Sequence, residues 1–428
     1  MSNPIEYSWM TKDLLMKYTF VALCVLTGVS FFSWGIDSLI LASICVVVAV
    51  GTDILISKVA MKSQLNTMSA AVFGLIVALS YSLGIPSSLF RELLPLTAPM
   101  SYAYSAIISL VGMVFFKKLQ GLSGRKYVNP AATAKLMVFI PSFYELLRPV
   151  EHTQMMPPLT SSIGYSGSFS FGSFLHACFA NAPFHDSNAQ EVLVTLTVLK
   201  HHGWIGGASS IAVIAVGIAL FALCRRYIKW RITATYFATT ALFAFALSYA
   251  YGGDPLLRVA FHLFIGSSVF LAFFMATDPA TTPLTHLGQV IFGVGLGILT
   301  VLIQVYMSFF GGSILALVIM NLTSPLLDKV GKLRPTTELK EPKLPKAKQF
   351  EAVKITDCLR CGACMRVCCH KLSPILIKEA FEKNKVKQLS KLHTDYCTGC
   401  GHCSFVCPAR IDLKGSILRA KAAMRTIS

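Results

Sequence analysis

The chain has 428 residues, of which 54% are hydrophobic and 14% are charged, and its mean hydropathy is +0.62. This composition excludes a disordered protein and a purely soluble enzyme, because an ordinary soluble domain carries about 25% charged residues. The net charge is +18, and the last 101 residues carry +12 of it. In so apolar a chain a basic total is typical of cytoplasmic loops rich in Lys and Arg, so no nucleic-acid partner is expected.

Residues 1–327 contain ten apolar runs, each long enough to cross the roughly 30 Å hydrocarbon layer of a bilayer. The sequence therefore predicts an all-α polytopic membrane domain with about ten transmembrane helices. The predicted spans are 17–34, 37–57, 66–85, 97–116, 130–147, 205–224, 232–250, 258–276, 288–309 and 311–327.

The loops between these spans predict the orientation. With the N-terminus inside, ten Lys and Arg fall in inside loops and four fall in outside loops. The positive-inside rule then places both termini in the cytoplasm and the chain in the inner (cytoplasmic) membrane. A long outside segment from about Arg148 to Trp204 divides the spans five and five, an arrangement that predicts an inverted repeat.

Two proline-containing stretches at membrane boundaries stand out: GRKYVNPAAT at 124–133 and TDPATTP at 277–283. One interpretation is helix capping, by Asn129 before Pro130 and by Asp278 before Pro279. The other is that helix N-termini at these loops hold a flavin phosphate or a carbonyl-bearing ring. The candidate cofactor-binding residues are Arg125, Asn129, Thr277, Asp278 and Thr281.

Two ionisable residues inside spans need an explanation. Asp53 lies about one turn from Lys58, which predicts a paired carboxylate at the membrane interface. His262 has no histidine partner at haem-like spacing, so we expect a packed or hydrogen-bonded side chain and no haem.

Residues 328–354 are rich in Lys and Pro. This composition predicts a semi-extended tether near the anionic inner leaflet, or simply a solvated linker.

Residues 355–428 contain nine of the thirteen cysteines. Eight of them form two runs of C-x2-C-x2-C-x3-C, the spacing of two-cluster ferredoxins, in which the fourth cysteine of each run ligates the other cluster. A zinc site needs four ligands and does not explain this duplicated pattern. One predicted [4Fe-4S] cluster takes Cys358, Cys361, Cys364 and Cys407, and the other takes Cys397, Cys400, Cys403 and Cys368.

Two further features belong to this module. Cys369 follows Cys368 directly and is either a spare thiol beside a cluster or an exchanged ligand. Charged and apolar residues alternate at helical spacing from Leu372 to Leu392, which predicts a helix pair and therefore an alpha-helical ferredoxin domain.

Both parts of the chain resemble known families. Residues 1–327, with GRKYVNPAATA and MATDPATTPLT, resemble the ten-span flavoproteins that include the D subunit of the Rnf complex and the B subunit of the sodium-pumping NADH:quinone oxidoreductase. Residues 356–423 are similar to the ferredoxin segment of the Rnf C subunit. The resemblance implies membrane electron transfer coupled to sodium or proton movement, by a chain that fuses parts normally carried separately.

The membrane family usually carries FMN esterified to a threonine in an S/T-G-A-T motif of the outside segment. No such motif occurs between Arg148 and Trp204. A non-covalent FMN or riboflavin near Asn129 and Asp278 is the remaining expectation for a flavin.

Three functional hypotheses follow. The first is a membrane subunit of an Rnf-like ion-translocating complex that relays electrons through two cytoplasmic clusters to or from a membrane-bound flavin or quinone. The second is a non-pumping, membrane-anchored ferredoxin that delivers electrons to a quinone or to an extracytoplasmic flavoprotein, and the third is a redox-sensing transporter. No nucleotide-binding fingerprint and no catalytic residue are identified, so we expect partner subunits and a soluble electron donor or acceptor.

Overall fold

The computed structural model of the chain describes residues 5–59, 67–81, 99–120, 126–139, 197–198, 204–251, 255–266, 268–306, 312–330, 335–336, 341–350 and 353–427. Arg125 and most of the segment from Arg148 to Trp204 lie outside these residues. Helices make up most of the described chain, and a two-stranded sheet joins its two ends.

A helix is found at each of the ten predicted spans. The helices are α1 (Lys12–Trp34), α2 (Ile36–Val59), α3 (Thr67–Leu79), α4 (Met100–Val111, continued by the π-helical segment Gly112–Leu119), α5 (Pro130–Phe139), α6 (Ser210–Cys224), α7 (Trp230–Tyr251), α8 (Pro255–Phe264), α9 (Ser268–Phe270, continued by the π-helical segment Leu271–Met275), α10 (His286–Tyr306) and α11 (Ser313–Val330). Within the described residues, six helices are long and apolar enough to span a membrane, or seven if α8 and α9, which meet at 63°, form one bent span. The all-α multi-pass fold is confirmed, and the number ten stays a prediction.

Local sequence explains where a helix such as α1 begins and ends. The Thr11 side chain accepts the N–H of Leu14 at 3.1 Å and caps the first turn. Gly35 ends the helix with φ of 62°, a conformation that favours glycine, and its N–H bonds to Phe31. The outward face carries exposed apolar side chains such as Val21 and Phe32, as expected for contact with lipid.

The two halves of the membrane domain repeat the same neighbours. In the first half α2 packs against α3 and α4, and α4 packs against α5. In the second half α7 packs against α8 and α10, and α10 packs against α11. Equivalent helices also meet across the halves, because α1 contacts α6 and α5 contacts α11. These contacts fit the predicted five-plus-five repeat.

The predictions for the two ionisable residues inside the spans, Asp53 and His262, have different outcomes. The predicted pairing of Asp53 with Lys58 is wrong, because the Asp53 carboxylate forms an ion pair with Lys118 at the end of α4. The expectation of a packed or hydrogen-bonded His262 side chain is confirmed: it is fully buried, and its Nδ1 lies 2.9 Å from Oε1 of Gln304. Lys118 is distant in sequence, and only packing of α2 against α4 brings it to Asp53.

The described part of the cysteine-rich module contains five α-helices, four of them of nine residues or fewer. They are α12 (Ala363–Arg366), α13 (Pro374–Glu382), α14 (Val386–Lys391), α15 (His402–Phe405) and α16 (Leu413–Ile427). The helix pair predicted between the cysteine runs is α13 and α14. Gly362 and Gly401 precede α12 and α15 at equivalent positions of the two runs, and both adopt positive φ, so the chain turns sharply beside the cysteines.

The module is joined to the N-terminus by a small sheet. Strand β1 (Ile5–Ser8) pairs antiparallel with β2 (Ala347–Phe350), so the end of the linker is paired rather than free. The Arg410 guanidinium lies over the rings of Tyr7 and Phe350 and donates to the Ser8 carbonyl at 2.7 Å. Both ends of the chain therefore lie on the same side of the membrane domain.

A buried ion pair joins the module to the last membrane helix. Arg360, only 4% exposed, lies 3.2 Å from the Asp328 carboxylate and also pairs with Glu379 of α13. The other Asp328 oxygen accepts the N–H of Leu284 at 2.7 Å. This carboxylate thus connects α11, the loop before α10 and the loop that carries Cys358 and Cys361.

Substitution Asp328→Asn should loosen the module. The amide keeps an acceptor for Leu284 but leaves the Arg360 charge without one of its carboxylates, which should cost on the order of 3 kcal/mol. The control is Glu382→Gln, which breaks the exposed Lys378–Glu382 pair and should cost less than about 1 kcal/mol. Thermal unfolding and tryptic cleavage within 341–350 measure the difference, and equal behaviour of the two variants would contradict the structural importance of Asp328.

Candidate metal centre and membrane cavity

The eight predicted ligands lie near one another in the module, and their electrostatic partners favour two groups. In the first group Cys358 and Cys364 interact electrostatically with Cys361 and with Cys407 of the second run. In the second group Cys368 of the first run interacts with Cys397, Cys400 and Cys403. These interactions agree with an exchange of the fourth cysteine between the runs, and the ligand assignment stays a prediction. All cysteines within the described residues are free of disulfides.

The surroundings of the thiols disfavour thiolates unless a cation is bound. Burial, reinforced by the neighbouring cysteines, raises the pKa of Cys403 to about 12 and the pKa of Cys364 well above its usual value. Thiols packed this closely do not all ionise without a cation among them, so the donor set is suited to a metal centre. Two sets of four thiols fit the donor requirement of two [4Fe-4S] clusters.

Backbone N–H groups also point at the sulfurs. Arg360 N–H donates to Cys358 Sγ at 3.3 Å, and Leu372 N–H donates to Cys368 Sγ at 3.3 Å. Such bonds stabilise negative charge on sulfur and tune the potential of a bound cluster. Arg360 has φ of 54°, and this left-handed turn aims its N–H at the sulfur.

Cys361 of the first group belongs to the same apolar core as the membrane helices, and Tyr227 and Lys229 lie within electrostatic range of it. Each group has one exposed cysteine, Cys358 in the first and Cys400 in the second. Cys369 lies beside the second group, with Sγ 3.4 Å from Nδ1 of His402.

A cavity of about 150 Å³ opens in the membrane domain, and Tyr227 in its wall lies within electrostatic range of Cys361 of the first group. One end is polar, lined by Lys117, Lys126, Asn129, Thr277 and Asp278. The rest of the wall is mostly apolar and includes Val72, Phe73, Leu220, Ile228, Phe273 and Phe274. Two amines, one amide and one carboxylate at this end offer hydrogen-bond donors and acceptors to a polar ligand group.

The two proline-containing loops meet at this cavity. Asn129 caps α5 by accepting the N–H groups of Ala131 and Ala132, and its own Nδ2 donates to the Met275 carbonyl at 3.2 Å. Asp278 differs from the prediction, because no helix begins at Pro279. Its carboxylate accepts the Ala280 N–H and the Thr281 hydroxyl within a turn.

The candidate residues therefore have different positions. Asn129, Thr277 and Asp278 line the cavity, whereas Thr281 is 1% exposed and lies behind the wall. Thr277 and Thr281 use their hydroxyls within the loop, since Thr277 donates to Phe273 at 2.6 Å. Arg125 falls outside the described residues.

Lys229 is a supporting residue that sequence reasoning missed. Its buried ammonium donates to the carbonyls of Pro279 and Thr282 and to the Thr282 hydroxyl, each at 2.8–2.9 Å. From the sequence it counted only as one of the inside-loop charges. The available signal was its position directly before a predicted span. A cation at such a position is costly to bury unless other groups bond to it.

Comparison with known proteins identifies the family of the membrane part. A model of the NQR2, RnfD, RnfE family matches residues 2–336. The chain belongs to this family. The matched region contains both proline-containing loops and every membrane helix, and it ends before Cys358.

Members of the NQR2, RnfD, RnfE family with established names share about a quarter of their residues with this chain. The D subunit of the Na(+)-translocating ferredoxin:NAD(+) oxidoreductase complex of Acetobacterium woodii is 27% identical over 328 residues, which cover 75% of this chain and 89% of that protein. The D subunit of the ion-translocating oxidoreductase complex of Erwinia tasmaniensis is 28% identical over 361 residues, covering 76% and 94%. The D subunit of the proton-translocating ferredoxin:NAD(+) oxidoreductase complex of Clostridium ljungdahlii is 27% identical over 303 residues, covering 70% and 83%.

The grouping of cysteines predicts a crossed pattern of iron loss. Cys407→Ser, in the second run, should remove the cluster of the first run, and Cys368→Ser should remove the other. Each variant should keep about four of eight iron atoms, because the remaining four thiols still hold one cluster. Iron and sulfide analysis of the anaerobically purified chain measures this, with Cys24→Ser as a control outside both groups. The electron paramagnetic resonance spectrum of Cys407→Ser should match that of Cys361→Ser, and a match to Cys400→Ser would contradict the crossed assignment.

Proposed function

We propose that the chain is a membrane subunit of an Rnf-like, redox-driven ion-translocating electron-transport complex, with two [4Fe-4S] clusters held by residues 355–428. The observation that carries this proposal is that Cys361 of the first group lies within electrostatic range of Tyr227 in the cavity wall. When bound, the clusters supply one-electron transfer between a soluble partner and the membrane.

The protein contributes a short connection from the first cysteine group to the cavity. Tyr227 and Lys126 line the cavity. Tyr227 interacts with Cys361, and Lys126 interacts with Asp357, the residue before Cys358. The Tyr227 hydroxyl lies 3.1 Å from Ser8 Oγ, so the sheet that holds the module also holds this wall. The module is thereby positioned rather than merely tethered.

The cavity would take the ring of a flavin or a quinone. A space of about 150 Å³ accepts one benzene-sized ring, so a quinone head or one end of FMN or riboflavin fits its present size. Asn129 and the lysines would face the ring carbonyls, and the phenylalanines would face its apolar edge. Without an S/T-G-A-T motif in the sequence, any flavin here would be dissociable.

The proposal includes the setting of the chain. The relatives named above are subunits of complexes, so other subunits of a membrane electron-transport complex are proposed as partners. By their names, the relatives from Acetobacterium woodii and Clostridium ljungdahlii belong to complexes that translocate sodium and protons, respectively. The basic loops support an inner-membrane location with both termini in the cytoplasm.

Inside-out vesicles that contain the intact complex test this function. With a reductant supplied on the module side, electron delivery to the membrane and cation uptake should both be lost in Cys407→Ser and in Cys368→Ser, and both should persist in Cys24→Ser. Electron delivery without uptake of sodium or protons would contradict the ion-translocating function and support a non-pumping, membrane-anchored ferredoxin. Solute uptake that survives loss of both clusters would instead indicate a transporter with a redox sensor.

The soluble partner should be acidic where it docks. The exposed loop that carries Cys400 is flanked by Lys414 and by Lys421, whose ammonium donates to the Cys397 carbonyl at 2.9 Å. Raising salt from about 0.05 to 0.3 M should slow reduction of the clusters by an acidic donor protein about tenfold, because screening weakens electrostatic steering. Lys414→Glu should slow it at low salt, and Lys58→Glu in the membrane domain should not. A rate of cluster reduction that changes neither with salt concentration nor with Lys414→Glu would contradict this docking site.

A further inference from the structure

A basic cluster, formed by Arg231, His286 and Arg366, lies where the cysteine-rich module meets the first turns of α7 and α10. Arg231 and His286 belong to the first turns of these two helices, and Arg366 ends α12 of the module. Each of the three side chains lies within electrostatic range of the other two. Arg366 is fixed in place, because its Nη2 donates to the carbonyls of Arg226 and Cys361. The module and the membrane domain therefore build the cluster together.

Close packing of α7 against α10 brings two of these residues together. Gly293 of α10 approaches α7 so closely that an added Cβ would lie 2.8 Å from the Ile232 carbonyl oxygen and would collide with Thr235. His286 lies seven residues before Gly293, and Arg231 lies four residues before Thr235, so both share the faces on which the helices meet. Arg231 and His286 therefore lie at the module-side end of one groove.

The basic cluster has no acidic partner within the described ranges. No carboxylate there lies within ion-pair distance of Arg231, His286 or Arg366. The Nδ1 of His286 and the Nε of Arg366 are buried and have no hydrogen-bond partner in that part of the chain. Two neighbouring guanidinium groups repel each other unless an anion lies between them. Cys361 and Cys364 lie within electrostatic range of Arg366, so a bound iron–sulfur cluster would offset part of its charge and leave that of Arg231.

Exposed apolar side chains lie beside the basic cluster. Trp230, Leu287 and Ile291, in the first two turns of α7 and α10, are all exposed. Both helices are long and apolar enough to span a membrane. The Arg231 guanidinium lies 5.1 Å from the centre of the Trp230 ring. Trp and Arg at the end of a spanning helix are typical of the level of the lipid headgroups. The cluster therefore lies where headgroups meet acyl chains.

This combination favours one class of ligand. Guanidinium groups bind phosphate oxygens through paired N–H groups, and a positive site at the membrane surface attracts anionic lipids. A free phosphate ion would use the basic groups but not the apolar surface next to them. An acidic segment of another protein would have to lie at headgroup level beside Leu287 and Ile291, where acyl chains already supply an apolar contact.

We propose that the basic cluster binds the headgroup of an anionic phospholipid, whose acyl chains lie along Leu287 and Ile291. The inference goes beyond the proposed redox function and does not depend on iron. Because Arg366 belongs to the module and Arg231 and His286 belong to the membrane helices, one lipid headgroup joins the two parts. The bound lipid then stabilises the contact of the module with the membrane domain.

Titration of the purified full chain in neutral detergent with phosphatidylglycerol tests this site. Native mass spectrometry measures the dissociation constant of the first bound lipid, and phosphatidylcholine with the same acyl chains is the uncharged comparison. The variants are Arg231→Gln, Arg231→Gln with His286→Gln, and Arg231→Lys. The matched control is Lys58→Gln, which removes one exposed positive charge from the last turn of α2. Thermal unfolding without lipid checks that each variant folds as the parent does.

We expect Arg231→Gln to weaken phosphatidylglycerol binding about fivefold, since one cation beside an anionic lipid contributes about that factor. The double variant should weaken it about tenfold or more, whereas Arg231→Lys keeps the charge and should stay within about twofold of the parent. Lys58→Gln should bind as the parent, and phosphatidylcholine should bind all variants equally weakly. Phosphatidylglycerol should also slow tryptic cleavage within 341–350 in the parent and not in the double variant.

Three results would overturn the site. The first is equal binding of phosphatidylglycerol to Arg231→Gln and to Lys58→Gln, or no preference for phosphatidylglycerol over phosphatidylcholine. The second is displacement of the lipid by millimolar inorganic phosphate, which would indicate a site for a free anion. The third is loss of lipid binding when the other subunits are present, which would assign the cluster to an acidic partner segment. None of these measurements involves electron transfer, so a failure of the proposed redox function would leave them unchanged.

Discussion

The buried contact between Arg360 and Asp328 is the interaction on which the placement of everything else depends. A guanidinium taken out of water must keep its carboxylates, because an unpaired buried charge is costly. Asp328 ends the last membrane helix and also receives the N–H of Leu284. Arg360 lies between two cysteines of the first group. One ion pair therefore sets the position of the cysteine loop relative to the membrane helices and to the loop beside the cavity.

Attachment to the membrane domain changes what an electron-carrying module, as proposed for residues 355–428, can do. A diffusing carrier must find its site at each turnover, whereas this module is held by the β1–β2 sheet, by Arg410 and by Arg360. The same contacts fix its orientation, with Cys361 packed against the membrane helices. The cysteine-rich module is therefore held against the membrane domain in one arrangement.

The two proline-containing loops illustrate how local and long-range effects divide. Asn129 caps a helix as expected, because capping depends on a few adjacent residues. Asp278 instead closes a turn, since its loop is held from outside by Lys229 and by Ser324, whose hydroxyl donates to the Thr281 carbonyl at 2.8 Å. Asp53 shows the same limit: its nearest cation in sequence is Lys58, but helix packing supplies Lys118. Partners that lie far apart in sequence leave no local signal.

The sequence by itself determined the membrane class, the helical segments, the two cysteine runs and the helix pair between them. These features depend on periodicity, composition and short spacings, which are local properties of the chain. Only the tertiary structure decided that Cys361 packs against the membrane helices, that the linker ends in a strand paired with the N-terminus, and that Thr281 lies behind the cavity while Thr277 lines it. It also brought Arg231, His286 and Arg366 together from two membrane helices and the module. Such placements arise from packing and from the need of buried polar groups for partners, and both act between residues distant in sequence.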